Sequence, residues 1–235
     1  MTGGTSNVDD LYNTIAIALK PHDLVLRGGF AATAGDSVPE VAAGQPAVTV
    51  LMIGNTGRAM WDAFKASRTP GPNPLDRWTR SVIAPLAAHA GAHAVYPFDA
   101  PPLPFQRWAA RAWPLHPSPL GLLIDADFGL WHALRAALLF PVALAVPHAA
   151  PRASPCDTCT TKPCKTACPI DAFSASGFDY VSCRQYLATA SGDDCLNRGC
   201  KARAACPVGA EHRYSMAQLR HHQRSFSGVV QASHE

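Results

Sequence analysis

The chain has 235 residues, 48% of them hydrophobic and 16% charged, with a formal net charge of +3. That length suits one medium domain with a small appendage, and the hydrophobic share permits a packed core. A charge this small, carried by scattered arginines, argues against a nucleic-acid or membrane-surface binder, so neither is expected as a partner.

The N-terminal residues place Asp9 and Asp10 where a secretory leader is basic, and no apolar run follows. The most apolar stretch, 136–147, is too short to span a bilayer and contains Pro141. A cytoplasmic location is expected, where clustered cysteines are metal ligands before they are disulfides.

Residues 7–20 predict an amphipathic helix with Asn7 as its cap. DLVLRGGF (23–30) reads as a strand, and 31–46 as a polar loop. AVTVLMIG (47–54) is a continuous β-branched and apolar run, which predicts a strand central in a sheet. A short helix over 58–66 and a Pro/Gly turn at 69–74 lead to a helix capped by Asp76 and running to about His89. Trp78, Val82, Ile83 and Leu86 share one face of it. HAVYPF (93–98) predicts a second buried strand, and 104–113 a helix introduced by proline. GLLID (121–125) is a further apolar segment. WHALRAALLF (131–140) is ambiguous: its alanines favour helix, its place after a Phe-Gly turn favours strand. The proline-rich PHAAPRASP (147–155) marks a boundary between domains 1–150 and 151–235. A last helix is predicted from about Ser215 to Gln223, with a frayed tail after Ser225.

All eight cysteines lie between residues 156 and 206, as Cys156-x2-Cys159-x4-Cys164-x3-Cys168-Pro, then Cys183, Cys195, Cys200 and Cys206-Pro. Thiolates grouped so tightly, two of them followed by proline, point to iron–sulfur ligation. In two-cluster ferredoxins the cysteine before the proline ligates the other cluster. That swap assigns Cys156, Cys159, Cys164 and Cys206 to one [4Fe–4S] cluster, and Cys168, Cys183, Cys195 and Cys200 to a second. The spacings are looser than usual, with x4 before Cys164. Structural zinc is the alternative, although only Cys156 and Cys159 form a C-x2-C pair. So small a segment, poor in large apolar side chains, needs metal–thiolate bonds to fold.

The cysteine region, PCDTCTTKPCKTACPIDAF…GFDYVSCRQYLA…GCKARAACPVG, resembles the ferredoxin-like module of epoxyqueuosine reductase and of reductive dehalogenases. The preceding residues, in AVTVLMIGNTGRAMWDAFK, DRWTR and GLLIDADFGLWHALRAALLFP, are similar to the cobalamin-processing protein of methylmalonic aciduria type C. The resemblance implies an α+β chain: a nitroreductase-like antiparallel sheet with flanking helices, then a two-cluster ferredoxin-like domain. It resolves 131–140 as a strand. The histidine and proline of that family's Ile-His-Pro-x-Phe-Gly-x-Trp motif are Asp125 and Ala126 here. It implies cobalamin as cofactor, with flavin second.

Asp125 and Asp127 flank a turn, where Asp serves local hydrogen bonding or, alternatively, a catalytic proton. Phe128, Gly129 and Trp131 are core residues or the wall of a cofactor cleft. Arg135, alone in an apolar run, must be paired or face a pocket. GNTG (54–57) carries a weak anion-site signal, and His212, His221 and His222 read as surface. The expected function is an iron–sulfur redox protein passing electrons to a cofactor or small-molecule substrate in the N-terminal domain, supplied by an electron-donor protein. A cobalamin- or flavin-linked reductase is one form of this. A non-catalytic electron carrier or cofactor handler is the alternative, and a zinc-stabilised interaction module the third.

Overall fold

A computed structural model describes residues 6–228. The chain forms two compact units. One runs up to Pro114 and again over His132–Pro151; the other comprises Leu115–Trp131 and the chain from Arg152 onward. The segment Leu115–Trp131, read from sequence as part of the N-terminal domain, thus groups with the cysteines. Its Leu120, Ile124 and Leu130 share a buried cluster with Cys164, Ala202 and Cys206.

The first unit mixes helices with one four-stranded antiparallel sheet in the order β1-β2-β6-β3. Its strands are β1 (Val25–Ala31), β2 (Thr49–Thr56), β3 (His93–Val95) and β6 (His132–Phe140). Its helices are α1 (Ser6–Leu19), α2 (Ala59–Ser67), α3 (Pro74–Ala90) and α4 (Phe105–Ala112). The apolar run of β2 is buried at every position but its last and lies between β1 and β6, as its composition requires. Side-chain alternation puts Leu51 and Ile53 with Ala136, Leu138 and Phe140 of β6 in one core. That core also takes Ile15 and Leu19 of α1, Met60, Trp61 and Phe64 of α2, and Trp78 and Ile83 of α3. Helix α4 packs instead on β1 and β2.

The ambiguous segment is a strand. Paired with β2 on one side and β3 on the other, β6 satisfies its backbone groups across the sheet, and this outweighs the helix propensity of its alanines.

Two expectations need correction. The strand predicted over 93–98 is only three residues long and lies at the sheet edge. It stops because Tyr96 N–H donates to Asp99 Oδ2 at 2.8 Å while Asp99 N–H returns to the Tyr96 carbonyl at 3.1 Å, closing a turn. Asp76 does not cap α3 but sits in its first turn; Asn73 holds the cap position in a left-handed conformation, with Pro74 supplying the first helical residue.

The second unit is built of short pieces. They are β4 (His116–Pro117) with β5 (Leu123–Ile124), and β7 (Phe173–Ser174) with β8 (Gly177–Phe178). Helices follow as α5 (Pro155–Thr158), α6 (Pro163–Thr166), α7 (Tyr180–Leu187), α8 (Asp193–Arg198), α9 (Lys201–Ala204) and α10 (Met216–Ser227). Ser215 caps α10, its hydroxyl accepting from Gln218 N–H at 3.3 Å, and the helix runs on to Ser227, past the predicted end at Gln223. Fraying is expected after Ser225, but Phe226 and Ser227 are still helical; the rest of that tail, 229–235, lies outside the described residues. Among the described residues no helix is long and apolar enough to cross a membrane.

Candidate metal centre

All eight cysteines are free thiols. Each is delivered by a short helix or its flank. Cys156 lies in the first turn of α5, where the Ser154 hydroxyl accepts from its N–H at 3.3 Å, and Cys159 follows that helix directly. Cys164 lies in the first turn of α6. The loose x4 spacing before it has a structural cause: Lys162 takes a left-handed conformation (φ 40°) and Pro163 opens α6, so the two extra residues make a turn into a new helix. Cys168 follows α6, Cys183 sits on α7, Cys195 on α8, and Cys200 is the N-cap of α9. Gly199 (φ 93°) separates the last two helices; a side chain there would press on Leu219.

The thiols sort into two electrostatic groups. Burial pushes Cys164 up, and the neighbouring thiols of Cys206, Cys156 and Cys159 add to it. Burial raises Cys156 first, with Cys206 and Cys159 behind it. Cys206, raised by burial, feels Cys159 as well. Cys183 is pushed up to about 11 by burial, then by Cys200, Cys168 and Cys195. Cys195 and Cys200, both raised by burial, feel Cys168, and Cys200 also feels Cys195. Among these six thiols, no member of one group figures among the influences on the other.

The protein also supplies donors to sulfur. Ala172 N–H approaches Cys168 Sγ at 3.4 Å. Backbone N–H groups of Ala202 and Arg203 serve Cys200, that of Lys201 serves Cys195, and that of Val208 serves Cys206. The Cys200 donors belong to the first turn of α9, where N–H groups have no partner within the helix. The second group opens on a cavity lined also by Ile170, Phe173 and Leu187, so its surroundings are largely apolar. Among the described residues no three His, Cys, Asp or Glu side chains are gathered closely enough to hold a single metal ion.

Charged side chains flank both groups, and the cysteine pattern alone did not single them out. Lys162 donates to the Cys156 carbonyl at 3.1 Å. Lys201 is ion-paired with Asp194 at 3.0 Å, and Asp179, the cap of α7, lies near Cys183. The signal for Lys162 was present in the sequence as the one charged residue between Cys159 and Cys164.

The other sequence candidates have local partners. Asp125, 3% exposed, accepts from the N–H groups of Asp127 (2.8 Å) and Phe128 (3.0 Å), the turn-closing role open to any Asp at such a corner. Asp127 makes a two-pronged ion pair with Arg152 at 2.5 and 2.9 Å. Gly129 (φ 57°) is pressed so closely to the Val208 carbonyl that a Cβ would lie 1.9 Å from its oxygen. The Phe128 ring stacks at a tilt 4.6 Å from His212. Trp131 is fully buried against Tyr214, with the guanidinium of Arg203 4.6 Å from its ring. Arg135 is paired: its Nε donates to Asn55 Oδ1 at 2.8 Å, and it acts electrostatically on Asp76. Asn55, from GNTG, is thus an internal partner for that arginine. His221 and His222 lie on α10, His222 beside Tyr214.

No family model matches the chain, and no curated protein matches it either. Solved structures do. A selenomethionine-labelled epoxyqueuosine reductase superposes with a TM-score of 0.56 at 14% identity, over 91% of this chain and 69% of the other. An epoxyqueuosine reductase with a tRNA-Tyr epoxyqueuosine-modified stem loop gives 0.52 at 13% identity, over 89% and 68%. A C. elegans B12-trafficking protein, CblC, a human MMACHC homologue, is matched more weakly, with a TM-score of 0.44 at 13% identity over 96% and 99%. The resemblance to epoxyqueuosine reductase read from the sequence thus has a structural counterpart in fold. The expectation of no nucleic-acid partner is corrected by the tRNA-bound structure. A net charge is a sum over the whole chain and does not report the local contacts that hold a nucleic acid.

Proposed function

We propose that the chain is an iron–sulfur redox protein, with one [4Fe–4S] cluster held by Cys156, Cys159, Cys164 and Cys206 and another by Cys168, Cys183, Cys195 and Cys200. The supporting observation is the division of the thiols into these two groups, each acting on its own members. It coincides with the sets that the ferredoxin swap assigns from spacing. When bound, such clusters supply one-electron transfer at potentials set by charge, hydrogen bonds to sulfur and exposure. This chain's part is to present eight thiolates, to donate N–H groups to several of them, and to keep water from the second site with Ile170, Phe173 and Leu187.

The second unit on this reading is a two-cluster ferredoxin-like module (151–235), helped by the strap 115–131. The first (1–150) is a nitroreductase-like sheet domain that takes the electrons onto a cofactor, cobalamin before flavin, or onto a substrate. Nucleic acid belongs among the substrate classes, given the tRNA complex of a protein of this fold. The carrier reading, with no chemistry in the first unit, is the alternative; zinc has no observation favouring it.

The test is anaerobic reconstitution with iron and sulfide, followed by hydroxocobalamin. A brown protein whose visible absorbance bleaches with dithionite, and which then reduces bound corrinoid, supports the reductase. Brown protein indifferent to corrinoid and flavin leaves the carrier. A colourless protein retaining zinc would overturn the proposal.

A further inference from the structure

We infer that Lys162 sets the potential of the first cluster: its ammonium, held beside Cys156 by that residue's own carbonyl, is an uncompensated positive charge at that site, whereas the lysine at the second site is neutralised. This rests on the two-cluster reading above.

The two sites are built alike in thiols and unlike in charge. At the first, Lys162 is half-buried, its Nζ donates to the Cys156 carbonyl at 3.1 Å, and its charge acts on the Cys156 sulfur. Among the described residues no carboxylate pairs with it. At the second, Lys201 reaches Asp194 Oδ2 at 3.0 Å, and Arg198 shares the same carboxylate at 3.7 Å. Asp179 adds a negative charge near Cys183. A cluster gains an electron, and with it negative charge, on reduction. A fixed cation close by and partly out of water therefore favours the reduced form, and a compensated pair does not.

The backbone shows that the position is built. Lys162 adopts φ 40° and ψ 57°, a conformation costly for a residue with a Cβ, in the turn that the x4 spacing creates. Asn or Gly would be easier there; neither could carry an ammonium to the Cys156 carbonyl.

The experiment is a redox titration of reconstituted protein followed by electron paramagnetic resonance, with iron and sulfide counted in every variant. K162Q keeps a donor for the carbonyl and removes the charge. One of the two one-electron steps should move down, shifting its reduced-to-oxidised ratio about tenfold at fixed potential, or ~59 mV for a one-electron couple. The other step should stay in place. K162R should restore the shifted step, which a merely structural role for the side chain would not require. K201Q/D194N, which removes the compensated pair whole, should move neither step appreciably. Full iron and sulfide with both steps unmoved in K162Q would overturn the inference while leaving the two-cluster reading intact. Wild-type protein that takes up no iron and sulfide would overturn that reading itself.

Discussion

At the residue scale, the polar candidates Asp125 and Asp127 both make local fastening contacts. Asp125 closes its turn with two backbone hydrogen bonds while almost fully buried. D125A should therefore cost about 1–3 kcal/mol in denaturant unfolding, the desolvation cost of N–H groups left without their acceptor. D127A removes an exposed ion pair with Arg152 and should cost under about 1 kcal/mol. Equal losses would contradict this division of roles. Asp36 is a fastener the sequence did not flag. Burial alone would push its carboxyl up, but hydrogen bonds from Arg111 and Thr33 prevail and hold it below the ordinary Asp value. A carboxyl depressed on folding lends stability above its unfolded value of 3.8, and loses it as pH falls through the lower folded value. D36N should accordingly be less stable than wild type at pH 7, and the gap should close below about pH 4. A gap independent of pH would contradict it.

At the scale of elements, legibility followed the strength of the local signal. The run 47–54 declared its central place because a strand covered on both faces must be apolar throughout. The alanine-rich 131–140 could not be read from composition, since what makes it a strand is pairing with neighbours that begin 83 and 39 residues earlier, at Thr49 and His93. The strap 115–131 was misplaced for a related reason: its partners, Cys164, Ala202 and Cys206, lie far along the chain. The grouping of the cysteines was legible because spacing is itself the signal, whereas the neighbouring charges were not. The close contact of this strap with the cysteine unit yields a prediction. Gly129 and Gly209 both have positive φ and face backbone at distances no Cβ tolerates. G129A should destabilise the second unit by several kcal/mol, about 2–4, while the unfolding of the first is unchanged. Wild-type stability in G129A would show the contact to be loose.

At the scale of the whole molecule, the two units gain their stability differently. The first buries large side chains of α1, α2 and α3 on its sheet. The second has helices α5, α6 and α9 of four residues each, too short to persist without cross-links. On the two-cluster reading, metal–thiolate bonds are those cross-links. Stripping the metal anaerobically with a chelator should therefore abolish amide protection across 155–206 while the strands β2 and β6 stay protected; protection that survives in both would contradict this. The proposed redox function turns on what the eight thiols hold. Protein purified without oxygen should contain about eight iron and eight acid-labile sulfide per chain, as two four-iron clusters require. Zinc without sulfide, or about four iron and four sulfide in protein whose every cysteine is intact and fully loaded, would contradict it.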